Sequence, residues 1–351
     1  MPETSDLVVI TPELATDYLR GNGALLEALE IDSADAPELV AVPLKQGEHN
    51  ANFTFANPRT GAKHVLRVNY ISQLGLDDQI GYEYRALRFL EPSTRTPRAR
   101  YCDSSKQFHG HGALVMDFYE GDWVDFRQPG QVAEAAHMLA DVHAVDTREG
   151  CPLLRPGDPL RKQLEKCKGF FKTYCSSAFE EEHVSTAVRR MFRDAERALE
   201  EPFDPADATH ALNTEAVAAH FLIIPDGSPG HFVDWEMPIV GEVAQDVAYF
   251  LSPTTTIWDT DDSFIFSADE RRDFVETYWR KVDGRFDPGR FEQRFEAYVM
   301  TNCLVGITWS ANAWVEYHDP ARPLKTERTF NKLQEYLDPD FLDRAYDICF
   351  R

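Results

Sequence analysis

Two short apolar runs stand out in the middle of the chain, at 221–224 and 231–235, joined by the turn-rich PDGSPG at 225–230. Short apolar runs bounded by Pro, Gly and Asp predict a β-hairpin of two short strands. Nearer the N-terminus, apolar segments at 39–42, 52–55 and 63–68 are separated by QGEHN and NPRTG. Turn residues between such segments predict a three-stranded antiparallel meander. Residues 113–121 read as a further strand, running out into a turn at Gly121.

The remaining pattern is helical. Residues 11–29 begin with Thr11 as N-cap, Pro12 and Glu13, which predicts one or two short helices interrupted around 21–23. A helix is expected over 77–90. Residues 130–146 place Val132, Ala136, Leu139, Ala140 and His143 at the 3.6-residue period; His143 there reads as a packing histidine. Residues 157–200 are helical with charge runs that read as solvated faces. A buried helix over 245–258, broken by Ser252-Pro253, is followed by helices to the C-terminus. The apolar, aromatic run over 291–317 reads as core.

Composition narrows the class. A chain of 351 residues is one large domain or two lobes, with ample length for a core. Its 43% hydrophobic and 12% aromatic content is that of a globular protein. No apolar run reaches the roughly 18 residues of a membrane span, and the N-terminus lacks the basic and apolar regions of a signal peptide. Six cysteines without a CxxC spacing suggest reduced thiols, so a cytoplasmic protein is expected. The net charge of −23 argues against nucleic-acid binding, which needs a basic footprint. Only ten of the 36 basic residues are Lys. High acid with low Lys suits solubility in concentrated salt, so a halophilic host is expected.

The hairpin gathers candidate chemistry. Asn213, Glu215 and His220 lie on the approach to its first strand, and Asp234 and Glu236 at the end of the second. On a strand, residues at i and i+2 share a face, so Asp234 and Glu236 together could face a metal. An ordinary hairpin with solvated acids fits the same residues.

The stretch FVDWEMPIVGEVAQDVAYFL, with HALNTEAVAAHFLI before it, resembles the aminoglycoside phosphotransferase/choline kinase-like family. That family has a protein-kinase-like fold, a catalytic loop HGDxxxxN and a returning DWE segment. The resemblance implies an α+β bilobal kinase-like fold: a small antiparallel-sheet N-lobe over residues 1–120 and a larger, mainly helical C-lobe over 121–351. It places Glu215 at the catalytic Asp, His220 at the metal-binding Asn and Asn213 at the His of HGD. Asp234 falls at the metal-binding Asp, with Glu236 a supplementary ligand. Asp246 falls at a structural Asp that holds the catalytic loop. The turn at 46–51 resembles the nucleotide-covering loop. Arg67 stands where the phosphate-contacting Lys is expected and Glu83 where its acidic partner is expected. Asp117, Phe118 and Tyr119 are candidates for the adenine-binding hinge.

The implied reaction is phosphoryl transfer from ATP or GTP, with Mg²⁺ or Mn²⁺, to a hydroxyl of a small-molecule acceptor. Such catalysis is mainly positioning and charge neutralisation. Positions 67, 215 and 220 depart from the family pattern. Arg can bind phosphate bidentately in place of Lys. Glu215 carries one methylene more than Asp. His220 offers imidazole, which suits Mn²⁺ better than the oxygen-seeking Mg²⁺. The departures leave two other readings open: a weak or inactive nucleotide-binding, pseudokinase-like regulator, and an acidic ligand-binding protein without transfer chemistry.

Overall fold

The computed structural model describes residues 8–44, 49–199, 203–206, 208–259, 264–287, 289–320 and 325–351. In chain order the elements are α1 (Pro12–Gly21), α2 (Gly23–Ala28), β1 (Val42–Pro43), β2 (Asn50–Ala56), β3 (Lys63–Asn69), α3 (Gln79–Leu90), β4 (Ala99–Phe108), β5 (His111–Asp117) and β6 (Asp122–Trp123). There follow α4 (Pro129–His143), α5 (Pro159–Cys175), α6 (Glu182–Ala198), β7 (His210–Leu212), β8 (Phe221–Ile223), β9 (His231–Phe232) and β10 (Ile239–Gly241). Six helices complete the chain: α7 (Ala244–Phe250), α8 (Pro253–Asp259), α9 (Ala268–Val282), α10 (Phe291–His318), α11 (Glu327–Leu337) and α12 (Pro339–Cys349).

The chain divides into two compact units. The first comprises residues up to Asp122 with Gly150–Leu153 and Ile224–Pro238. Its centre is a five-stranded antiparallel sheet in the order β1-β2-β3-β5-β4. Register places Asn52 opposite Arg67, and Arg67 opposite Leu114. Apolar positions alternate along β2, so Phe53 and Phe55 turn inward. They join Leu19, Leu25, Leu66 and Val115 in one core. Thr11 caps α1 by accepting the Leu14 amide, and Asn22 closes α1 and caps α2, which is the interruption expected around 21–23.

The sheet is larger than the three-stranded meander expected from the pattern. The segment 39–42 contributes only Val42–Pro43, because Pro43 lacks a ladder donor and suits an edge. Strand β4 had no alternating apolar signature: residues 102–107, CDSSKQ, are polar and the strand lies at the sheet edge with register shifts. The nucleotide-covering turn expected at 46–51 falls partly outside the described residues.

The second unit comprises Trp123–Glu149, Leu154–Ile223 and Ile239–Arg351. Strands β7 and β10 pair antiparallel, Leu212 opposite Ile239. The 28-residue α10 is its spine, packing against α5, α6, α7 and α11. Gly306 lets α10 approach α8: a Cβ there would meet Thr254 at 2.4 Å. Phe126, Phe250, Phe266 and Phe274 form an aromatic core. Ser267 and Glu270 start α9 with a reciprocal capping box. All six cysteines are free thiols. Among the described residues no helix is long and apolar enough to cross a membrane.

Candidate functional site

The first unit carries one half of the candidate chemistry. Arg67 sits on β3 with its guanidinium buried. A buried charge is tolerable only when paired and hydrogen-bonded. Its Nη1 donates to Glu83 of α3 and to Asp234, both at 2.8 Å, and its Nε donates to Asn52 Oδ1 at 3.1 Å. Burial opposes the Arg67 charge, but Asp234, Glu83 and Glu236 outweigh it and hold its pKa above the ordinary value. The Arg67–Glu83 pair implied by the family resemblance is therefore formed, and Asp234 joins it.

Glu83 is pushed up to about 7, first by burial and then by the nearby Asp234 and Glu236 charges; Arg67 opposes the shift. The sign of the consequence follows from proton linkage. Between about 4.5 and 7 the folded state binds the Glu83 proton more strongly than the unfolded chain does, so this group's contribution to stability falls as pH rises. Below 4.5 both states are protonated; above 7 the loss is complete. Relative to Glu83→Gln, which cannot titrate, the wild type should lose stability between pH 5.5 and 7.5, by at most about 1.4 kcal/mol per pH unit. Urea unfolding of both proteins at the two pH values measures this, and parallel curves would remove the raised Glu83 from the account.

Asp234 has φ 63°, a left-handed conformation, and its side chain stays 29% exposed. This corrects the expected strand: β9 ends at Phe232, and Asp234 and Glu236 lie beyond it, in a turned segment. They do not share a strand face. Glu236 is buried, and both its oxygens accept side-chain amides, Oε2 from Asn50 at 2.5 Å and Oε1 from Gln73 at 2.6 Å. Among the described residues, no group of three or more His, Cys, Asp or Glu is placed to hold a metal.

The hinge candidates start at Asp117, the last residue of β5. The Asp117 carboxylate is held by Arg100 through two bonds of 2.7 and 2.6 Å. The amides of Asp117 and Phe118 donate to the carbonyls of Arg98 and Lys63. Tyr119 stacks on His231, ring centroids 3.5 Å apart.

The second unit carries the other half. Asp246, fully buried at the start of α7, accepts the amides of Asn213 at 2.8 Å and Thr214 at 2.9 Å. It thus holds the loop before Glu215, the structural role the resemblance gave it. Thr214 is left-handed, φ 75°, a rare conformation for a β-branched residue; it stands where HGD has its glycine. The Asn213 side chain accepts the Glu215 amide at 3.0 Å, and His220 Nδ1 lies 2.7 Å from the Glu215 carbonyl. Glu215 and His220 are therefore tied together through the backbone. His143 is buried, with Nδ1 2.8 Å from Tyr278 Oη and Nε2 3.5 Å from Asp246. His210 lies buried, 2.9 Å from the His143 carbonyl.

Sequence reasoning passed over Asn50 and Asn52. The available signal was two Asn at i and i+2 in a strand, where Asn is disfavoured and one face is shared. Gln73 and Gln79 gave no such signal.

The phosphotransferase enzyme family profile matches residues 40–292. No curated protein sequence matches the chain. Among solved structures, a candidate aminoglycoside phosphotransferase from Ralstonia eutropha JMP134 superposes with a TM-score of 0.67 at 17% identity, over 92% of this chain and 97% of that one. A spectinomycin phosphotransferase solved with ADP and spectinomycin gives 0.64 at 13%, over 97% and 98%. A choline kinase from Cryptosporidium parvum Iowa II gives 0.64 at 13%, over 96% and 97%. The likeness shows a bilobal kinase-like α+β fold.

Proposed function

From its membership of the phosphotransferase enzyme family, to which this chain belongs, we propose that the protein is a small-molecule kinase. It transfers the γ-phosphate of a nucleoside triphosphate to a hydroxyl of a small metabolite or aminoglycoside-like acceptor. The observation that carries this reading is Arg67, buried and held between Glu83 and Asp234. A cation fixed in this way is ready to receive a polyphosphate, and Asp234 supplies a partly exposed carboxylate beside it.

Each residue then has a role. Arg67 clamps phosphate and Glu83 orients it. Asp117, Phe118 and Tyr119 form the hinge; with two of its amides spent on Arg98 and Lys63, the hinge recognises the base chiefly through its remaining backbone groups. Glu215 accepts the hydroxyl proton of the acceptor. Asp234 and His220 are the candidate metal residues. A carboxylate oxygen, as on Asp234, suits Mg²⁺ and Mn²⁺ alike, and an imidazole nitrogen, as on His220, suits Mn²⁺ better than Mg²⁺. A bound metal neutralises phosphate charge.

A weak or inactive nucleotide-binding relative is the second reading. It is favoured by the departures at Glu215 and His220 from the family's catalytic loop.

A thermal-shift titration with ATP and GTP, each with Mg²⁺ and Mn²⁺, tests the proposal. At 100 times its Kd a nucleotide should stabilise the fold by about 2.7 kcal/mol. Repeated from low salt to molar KCl, the same titration reports whether the acidic surface reflects a halophilic host: melting should rise with salt. No shift with either nucleotide under any condition refutes the kinase and the pseudokinase readings together.

A further inference from the structure

We propose that Glu236 is a positioning residue. Its carboxylate ties the start of β2 and the β3–α3 connection to the segment that carries Asp234, and it does not hold the metal. The structural part stands on the first unit alone; its consequence for nucleotide binding rests on the proposed function.

The segment 234–238 is stitched to the sheet and to α3 along its length. Glu236 Oε2 accepts the Asn50 amide at the first residue of β2, and Oε1 accepts the Gln73 amide from the β3–α3 connection. The Glu236 carbonyl accepts Gln79 Nε2 at the start of α3, at 2.6 Å. Tyr82, one turn further along α3, donates its hydroxyl to the Pro238 carbonyl. Trp235 is fully buried and donates Nε1 to the Phe232 carbonyl at 2.7 Å.

The polarity of this cluster requires an acceptor at position 236. Asn50 Oδ1 is taken by Asn69 Nδ2 at 2.8 Å, so the Asn50 nitrogen must face Glu236. Gln79 Oε1 is likewise taken by the Ser72 hydroxyl at 2.6 Å, which leaves its nitrogen for the Glu236 carbonyl. An ionised carboxylate is the side chain that only accepts. Glu236, Asn50 and Gln79 are all buried. Removing the acceptor would leave buried donors unpaired, and a metal on Glu236 would compete with the two amides for the same carboxylate oxygens. Gln73 is the one flexible partner: its carboxamide makes no other hydrogen bond among the described residues.

Glu236 therefore sets where Asp234 stands relative to Arg67. Asp234 is two residues upstream, and it meets Arg67 on β3, the strand beside β2.

The test compares Glu236→Gln and Glu236→Ala with the wild type. Hydrogen exchange of the ligand-free protein is followed over residues 50–56 and 71–82. In parallel, Mn²⁺–ATP affinity is measured by calorimetry. Glu236→Gln keeps an oxygen for Asn50, and its new amide is met by turning Gln73 over, so both readouts should stay within about three-fold of wild type. Glu236→Ala loses both bonds; exchange should accelerate, and affinity fall, by about ten-fold or more. A metal ligand behaves otherwise: Gln would bind Mn²⁺–ATP as poorly as Ala, with ligand-free exchange unchanged in both variants. That pattern overturns the proposal, as does Gln exchanging as fast as Ala. If even the wild type binds no nucleotide, the kinase reading has failed, and the exchange data alone decide the tie.

Discussion

Asp234→Ala is expected to lower phosphoryl transfer by about 100- to 1,000-fold, the scale seen when a residue aimed at developing charge is removed. The fold should survive. The Asp234 side chain is 29% exposed against 1% for Glu83, and Glu83 and Asn52 still hold the guanidinium after its removal. One cost runs alongside. Alanine at φ 63° gives up the tolerance that Asp has for left-handed backbone, worth roughly 1–2 kcal/mol. Asp234→Asn avoids that cost and is the better probe of chemistry, because Asn keeps the shape and loses the charge. ADP formation over a panel of hydroxyl acceptors, together with the melting temperature, gives the answer. Turnover at the wild-type level in Asp234→Asn would remove Asp234 from the mechanism. Lost turnover with a lost fold would leave it merely structural.

The second large effect is at Glu215. Replacing it with Gln should reduce kcat by about 100- to 10,000-fold, the contribution typical of a positioned general base, and leave nucleotide affinity within about three-fold. The split arises because Glu215 lies in the loop held by Asp246, whereas the proposed phosphate clamp is Arg67 on the sheet. Glu and Asp differ little in intrinsic acidity, about 4.3 against 3.9. The difference is reach: a displacement of about 1 Å can cost on the order of 100-fold. The Asn213 side chain, which accepts the Glu215 amide, and the tie from His220 to its carbonyl fix the backbone from which the longer side chain extends. Unchanged single-turnover rates in Glu215→Gln would assign the proton to another acceptor.

How far the sequence foretold these elements depends on whether their cause was local. The α1–α2 break, the α7–α8 break and the packing role of His143 came from caps, a Ser-Pro pair and helical period, all of which act within a few residues. The Arg67–Glu83 pair and the Asp246 contact to the loop were legible through motif order, because fixed positions in a shared fold bring them together. What escaped depended on tertiary placement. Strand β4 is polar and lies at the edge, so its pairing with β5 supplies what its own pattern does not. Asp234 and Glu236 read as strand neighbours because i, i+2 spacing is all a sequence offers; a left-handed Asp234 ends that alternation. The amides around Glu236 come from β2, the β3–α3 connection and α3, more than 150 residues away in the chain, and no local pattern announces them.

The short contact between His220 Nδ1 and the Glu215 carbonyl also selects a tautomer. A carbonyl can only accept, so the ring hydrogen sits on Nδ1. In the neutral ring the lone pair then belongs to Nε2. A metal that uses His220 must bind through that nitrogen, with the backbone of the proposed base orienting the ring as carbonyls and carboxylates orient metal-bound histidines elsewhere. One main-chain oxygen thus links the two substituted positions of the loop, and the identity of residue 220 bears on both the metal and the base.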